Sequence, residues 1–508
     1  MITKKNLIIT GLDSVVGVND LHFSMNPNQH VKLTVDLQLK TELLCDSLYS
    51  QSISIGYKKN GQEYFIFYGF VDHYNQKREG NLYTARLSLI SASIKLDEKK
   101  YIRTFQNTEQ TYKSVIRSIL YQVPKADVLF SVKGKEESPI QDLLVQYQES
   151  DWEFYKRIAS HFGSVLIPDI KTGEPKFYLG FPEESKLIDE KFTSYTVSLD
   201  ERYFENRAEN MQKDWFVFYR AESDRFYQIG DEVEIDGRRL RVLSILANMI
   251  RGEIIFSYEF GRTDLYYKKK EYNQLLIGAS LTGTVITSVG GEVKLVFDIN
   301  PEEQNIIKTY PWVPVTGNIF TCMPEKGERA AIIFTNHNEA DSIAIEYLRS
   351  NDISKCPNVS SPFDRYFTTS QRKEMKLVPG TMGFDNHMGN SLTLEDEQGI
   401  VLEGDEILLE AKGKILLTAD GIKTFAPLQS TLIKGSSGGG SINICQDFNL
   451  SGPVKILAQA NPLTEEEPVR VYSNKDTEKI GKQALGMIPA GKTEDKIISQ
   501  ALGMIVQR

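Results

Sequence analysis

The sequence predicts a mainly β chain of several domains: two β-barrels with a helical segment between them, a smaller OB-fold barrel, and a C-terminal β-helix intertwined from three chains. Three observations carry this reading. The 508 residues exceed one hydrophobic core, since single cores stop growing beyond roughly 250–300 residues. Short apolar runs of period two, broken by Asn, Gly, Lys and Asp, recur through most of the chain and mark antiparallel strands. Further on, apolar patches centred on Leu392, Val401, Leu408 and Leu416 recur every seven to nine residues. Each such unit is one strand and a turn, too small to bury its apolar side alone.

Residues 1–107 read as the first barrel, through HVKLTVDLQL, SISIGY, EYFIFYGFVDHY and LYTARLSLISAS. The pattern turns helical over 108–170, where Val115, Ile116, Ile119 and Leu120 share one side. A second amphipathic stripe follows at Trp152, Tyr155, Ile158, Ala159 and Phe162. Ser150 is placed to cap that helix, Asp151 and Glu153 sit in its first turn, and Gly163 lies just past its end. The acids therefore serve the helix start, and His161 reads as a residue near the dipole's negative end. Residues 171–268 return to strands and form the second barrel; Asp236-Gly237 between two alternating runs signals a tight hairpin.

A polar linker, 269–280, leads to five short strands over 281–350, the size of an OB-fold barrel. A loop-rich connector, 351–385, precedes the β-helix at 386–460. Its trimer core is expected at Leu392, Leu394, Ile400, Leu402, Ile407, Leu409, Ile415 and Leu417, because three braided chains can close a core that one cannot. Glu403, Asp405, Glu406 and Glu410 read as its wet outer face. The tail, 461–508, nearly repeats itself as KQALGMI and SQALGMI. Ala484, Leu485, Met487, Ile488, Ala501, Leu502, Met504 and Ile505 make these two blocks candidates for docking a partner.

Composition excludes several functions. A net charge of −9 with no basic block speaks against nucleic acid. Cys45, Cys322, Cys356 and Cys445 are scattered without a C-x-x-C pair, so neither structural zinc nor a disulfide framework is expected. The six histidines show no ligand spacing; His387 alone is kept as a candidate ion ligand, and no cofactor is expected. GMIPAGKT (Gly486–Thr493) matches a phosphate loop by letters, but so near the end no strand, helix and parallel sheet can surround it. The gaps between the predicted domains are too short for a glycosidase, so the chain is not expected to be an enzyme. The N-terminal apolar run is too short for a signal segment, which places assembly in the cytoplasm.

Several stretches resemble one family. YQESDWEFYKRIASHFG, through Tyr147, Glu149, Ser150, Asp151, Trp152, Phe154 and Arg157, is similar to the signature helix of VgrG-like spike proteins of contractile injection machines. That group spans type VI secretion spikes and phage baseplate hubs. YIRTFQ resembles its Arg-x-Phe-Gln segment at Arg103, Phe105 and Gln106. Gly283, Val285, Val296, Trp312, Val315, Pro324, Gly327, Glu328 and Asp341 match its downstream strand motifs.

The resemblance implies a homotrimeric hub whose six barrels seat on a hexameric, Hcp-like tube protein, with baseplate proteins clasping it. It implies a needle capped by a PAAR-type tip protein, an effector or tip held by the tail, and transient contact with a target membrane. Delivery by the machine would then carry the chain out of the cell or into a target cell. The signature segment becomes a packing element rather than an active site. The rival expectation is a secreted glycan-binding adhesin, disfavoured because Trp152, Trp215 and Trp312 each lie inside an apolar pattern.

Overall fold

A computed structural model describes residues 2–44, 48–49, 51–205, 211–313, 323–346, 363–369 and 371–423. The four cysteines, Val315, the GMIPAGKT stretch and the proposed docking residues of the tail lie outside these. The chain divides into two compact units, Met1–Ser360 and Ser361–Arg508.

In chain order, the first segment supplies β1 (Ile2–Thr3), β2 (Leu7–Thr10), β3 (Val15–Met25), β4 (Lys32–Leu39), β5 (Ile53–Lys59), β6 (Gln62–Glu79), β7 (Leu82–Ser91) and β8 (Lys100–Phe105). Next come α1 (Tyr112–Leu120), β9 (Asp127–Phe130), β10 (Leu144–Ser150), α2 (Asp151–His161) and β11 (Leu166–Pro168). The following segment supplies β12 (Lys176–Leu179), β13 (Thr196–Leu199), α3 (Arg202–Glu205), β14 (Val217–Ser223), β15 (Glu232–Ile235), β16 (Arg238–Ile250) and β17 (Glu253–Gly261).

The strands read as two barrels join in one 12-stranded sheet, ordered β13-β14-β17-β16-β3-β4-β7-β6-β5-β2, with β1 on β17 and β15 on β16. The junction is β16 against β3, where Ile245 faces Met25 and Ala247 faces Phe23. One core runs through both halves: Leu33, Val35, Leu37 and Leu39 of β4 share a buried cluster with Val242, Ile245 and Ala247 of β16. The β15–β16 hairpin turns at Asp236 and Gly237, both with positive φ (51° and 71°), as a two-residue primed turn requires.

The segment read as helical also contains three short strands. Their apolar runs are only two or three residues long, too brief for a helical stripe. Each finds a strand partner instead: β9 runs parallel to β12, β10 antiparallel to β8, and β11 antiparallel to β12. Helices α1 and α2 cover the three-stranded sheet with a second core, including Val115, Ile116, Trp152, Phe154, Tyr155, Ile158 and Phe177.

The small barrel is closed, in the order β18 (Ser280–Val289), β19 (Glu292–Phe297), β20 (Tyr310–Val313), β22 (Ile343–Glu346) and β21 (Arg329–Ile333). Strands β20 and β22 run parallel; every other pairing is antiparallel. Gly283 must be glycine, since a Cβ there would meet the Val296 carbonyl oxygen at 2.4 Å.

The second unit shows β23 (Arg365–Thr368), β24 (Glu374–Val378), β25 (Thr381–Asp385), β26 (Ser391–Glu395) and β27 (Gly399–Glu403) as an antiparallel meander. Four of the expected needle residues lie in it: Leu392 pairs with Leu402 and Leu394 with Ile400. The register extends both rows, to Phe384 and Met375 and to Met382 and Leu377, so one face is wholly apolar across four strands. Ile407, Leu409, Ile415 and Leu417 are 53–68% exposed in residues 404–423, which hold no helix or strand. Among the described residues, these four side chains form no β-helix rung.

Candidate functional site

The signature residues converge on the joint between the hub and the small barrel. Tyr147 and Glu149, read as helical, lie instead on β10, whose pairing with β8 shifts by one residue between them. The extra residue, Gln148, has φ +52°, the local kink of a β-bulge. Ser150 then caps α2: its hydroxyl accepts from Glu153 N at 3.0 Å while the Glu153 carboxylate accepts from Ser150 N at 2.9 Å. Glu153 thus does the capping work that the sequence assigns to it, while the Asp151 carboxylate accepts from Arg103 and Gln146 instead.

Strand β10 is a wall between two cores. Leu143 and Val145 pack with Leu281, Val285, Leu295 and Phe297 of the small barrel. Leu144, pointing the other way as strand alternation demands, packs with α1 and α2.

Arg157 locks this wall in place. Its Nε and Nη2 donate to the two oxygens of Glu149 at 2.9 and 2.8 Å. Its Nη1 donates to Glu339 Oε1 of the small barrel at 2.9 Å, and Nη2 also reaches the Val145 carbonyl. The side chain is 4% exposed. Burial alone would lower its pKa, yet hydrogen bonds and charge from Glu149 and Glu339 raise it, so the guanidinium stays ionised.

The Arg-x-Phe-Gln stretch makes a second clasp. Arg103 donates to Gln146 at 2.7 Å and to Asp151 at 2.5 Å, and Phe105 stacks on Phe154 with centroids 6.2 Å apart. Gln106 grips the loop between β19 and β20. Its backbone N–H and side-chain amide donate to Glu303 at 2.6 and 3.0 Å, its Oε1 accepts from the Tyr310 hydroxyl at 2.9 Å, and its carbonyl accepts from the Ile307 and Lys308 N–H groups. Burial raises the Glu303 pKa, opposed by hydrogen bonds from Gln106, Thr104 and Asn300.

Trp152 is a buried anchor that donates through Nε1 to the Asn28 carbonyl at 3.3 Å. His161 departs from its expected role. Burial, with Lys270 and Arg157 nearby, lowers its pKa to about 3, so it is neutral and cannot complement the helix dipole as a cation. Its Nδ1 lies 3.0 Å from the Tyr112 hydroxyl.

Glu303, Tyr310, Glu339 and Val145 are the joint residues that sequence reasoning missed. Glu303 stands in a polar turn that reads as surface, and only its distant partners reveal it. Among the described residues, no group of three or more His, Cys, Asp or Glu could hold a metal ion. The arrangement is built to fix one domain on another.

This mainly β arrangement, with a small closed barrel fixed on a larger sheet, is joined by a sequence likeness: residues 28–167 match the family Phage tail baseplate hub (GPD). The type VI secretion system spike protein VgrG3 of Vibrio cholerae serotype O1 is 23% identical over 209 residues, 38% of this chain. The chain spans only about a fifth of that relative's length, the match covering 20% of it. In fold, it resembles the lidded Francisella PdpA-VgrG complex (TM-score 0.51, 9% identity, 76% of each chain). The half-lidded form gives a TM-score of 0.50 at 9% identity over 78% of this chain and 87% of that one. These likenesses support a VgrG-like spike protein, a baseplate hub or spike of a type VI secretion or phage tail-like system. Proteins of this kind work within tail-like machines alongside other baseplate and tail components.

Proposed function

We propose that the chain is the homotrimeric hub and spike of a contractile injection machine, seated on a hexameric Hcp-like tube and carrying a PAAR-type tip or an effector through a target envelope. The carrying observation is the apolar face of the β23–β27 meander. Leu377, Met382, Phe384, Leu394, Ile400 and Leu402 there remain 38–71% exposed in one chain. Fully burying one such side chain is worth about 1.5–3 kcal/mol, so a face of this size calls for cover, and two sister chains supply it symmetrically. The hub sheet adds a second argument: among the described residues its path ends at β13 and β2, strands that neighbouring protomers would extend.

In this reading the protein is structural and does no catalysis of its own. It is assembled in the cytoplasm and leaves only with the machine, and its tail residues Ala484–Ile488 and Ala501–Ile505 hold tip or cargo. The test is the mass of the purified full chain by light scattering, expected at three times 57.7 kDa. Leu394→Asp with Leu402→Asp is expected to shift it toward monomer. A wild-type monomer at micromolar concentration would overturn the proposal.

A further inference from the structure

A continuous line of hydrogen bonds runs from the hub sheet to the start of α2. The Val31 N–H, just before β4, donates at 3.0 Å to Ser91 Oγ, at the end of β7. Ser91 Oγ lies 2.8 Å from Ser93 Oγ, which lies 2.8 Å from His30 Nδ1. The other ring nitrogen, His30 Nε2, is 3.1 Å from Asp97 Oδ2, and the second Asp97 oxygen accepts from the Ser150 hydroxyl. Ser150 caps α2, so the line ends at the Glu153 N–H. Ser91 and Ser93 are 0% exposed, and the His30 side chain 10%. Ser93, His30 and Asp97 stand in the order of nucleophile, base and acid, but a serine with no exposed surface meets no substrate.

The direction of each proton in the line follows from Asp97. Burial would raise its pKa, yet hydrogen bonds from Ser150 and His30 hold it below the ordinary carboxylate value, so it is ionised. An ionised carboxylate only accepts; Nε2 therefore carries the hydrogen of the neutral ring, and Nδ1 is a bare acceptor. Ser93 must then donate to Nδ1, and Ser91 to Ser93. A proton added at Nδ1 turns the line round. Ser93 Oγ becomes the acceptor for Nδ1–H, its own hydroxyl swings to Ser91 Oγ, and the Ser91 O–H is left with no acceptor among the described residues. Such a stranded group is costly where no water reaches it.

Charges act on His30 from each side. Asp97, closing the 3-10 turn Ala92–Leu96, favours the protonated ring, whereas Lys156 on α2 and Lys32 on β4 oppose it. The Trp152 ring, with its centroid 4.8 Å away, packs on the imidazole without bringing charge. Burial outweighs Asp97, so the His30 pKa lies below its ordinary 6.5.

We propose that His30 is an acid-sensitive latch between the hub sheet and α2: with a neutral ring the line of bonds holds the helix start against the sheet, and a proton on the ring breaks the line at Ser91 and frees that end. Because the latched ring resists the proton and the released ring does not, latching is complete above about pH 6.5 and is lost as pH falls. The latch does not depend on the trimer. His161 lies at the other end of the same helix, so the two titrations are read on different amides.

The test is hydrogen exchange on the full-length protein from about pH 7.5 to about 4.5, corrected for the exchange of free amides. Protection of amides 153–157 is expected to fall about tenfold with a midpoint below about 6.5, while amides 33–39 of β4 keep theirs. His30→Gln, which takes up no proton, is expected to keep 153–157 equally protected at both ends of the range. Two substitutions leave the ring in place and change only the charge beside it. Lys156→Gln is expected to raise the midpoint and Asp97→Asn to lower it, each by about half a pH unit; if His30→Gln does not fold, these two decide. The latch is overturned by unchanged wild-type protection down to the lowest pH, by an equal loss in His30→Gln, by a loss spread evenly over β4, or by midpoints that fail to move in opposite directions.

Discussion

Arg157 and Glu339 stand 182 residues apart in the sequence and 2.9 Å apart in the fold, with side chains only 4% and 5% exposed. One buried contact thus ties the signature helix of the hub to the small barrel. Buried pairs cost desolvation, so this one sets geometry more than it adds stability.

Removing the cation alone should be costly. Arg157→Met leaves two carboxylates buried without it, an expected loss of about 3–5 kcal/mol in denaturant unfolding. The triple replacement Arg157→Met, Glu149→Met and Glu339→Met should recover most of that loss. A single variant as stable as wild type would show that the clamp is idle.

The Gln106 clasp is expected to behave locally. Gln106→Leu removes the side-chain bonds to Glu303 at 3.0 Å and to the Tyr310 hydroxyl at 2.9 Å, while the backbone N–H bond to Glu303 stays. The expected cost is about 1–3 kcal/mol. Hydrogen exchange should rise in residues 300–308 before it rises in the hub sheet, and uniform loosening would contradict a local clasp.

His161 predicts an acid sensitivity. Its folded pKa of about 3 lies below the ordinary 6.5, so the unfolded chain takes up a proton first as pH falls. The stability it contributes is complete above about 6.5 and is lost as pH drops toward about 3. His161→Leu should flatten that part of the pH profile relative to wild type, measured as unfolding midpoints from pH 7 to 4. Parallel profiles would remove His161 from the account.

Gly283 predicts a packing failure. Gly283→Ala places a methyl group against the Val296 carbonyl, which is backbone and cannot swing aside. A loss of about 1–3 kcal/mol is expected, and an unchanged melting temperature would show that the barrel gives way easily.

Local chemistry was legible in the sequence. Ser150 with Glu153 marks the start of α2, and Asp236-Gly237 marks its hairpin, because each signal lies within a few residues of what it controls. The mainly β fold and the hub and spike resemblance were legible for the same reason, from repeated alternation and a short signature. What escaped was long-range. Nothing near Glu303 or Glu339 announces Gln106 or Arg157, and β10 is absorbed into the helical segment 108–170 because its strand partner is remote in sequence, with Leu144 opposite Phe105. The union of both halves into one sheet rests on β3 meeting β16, which no local pattern encodes.

Because consecutive side chains of β10 are rooted in different interiors, hub and small barrel share no clean plane of slip. A thrust delivered to one must deform the other's packing before the two can part. In the proposed spike, the weakest place is thereby moved away from the junction.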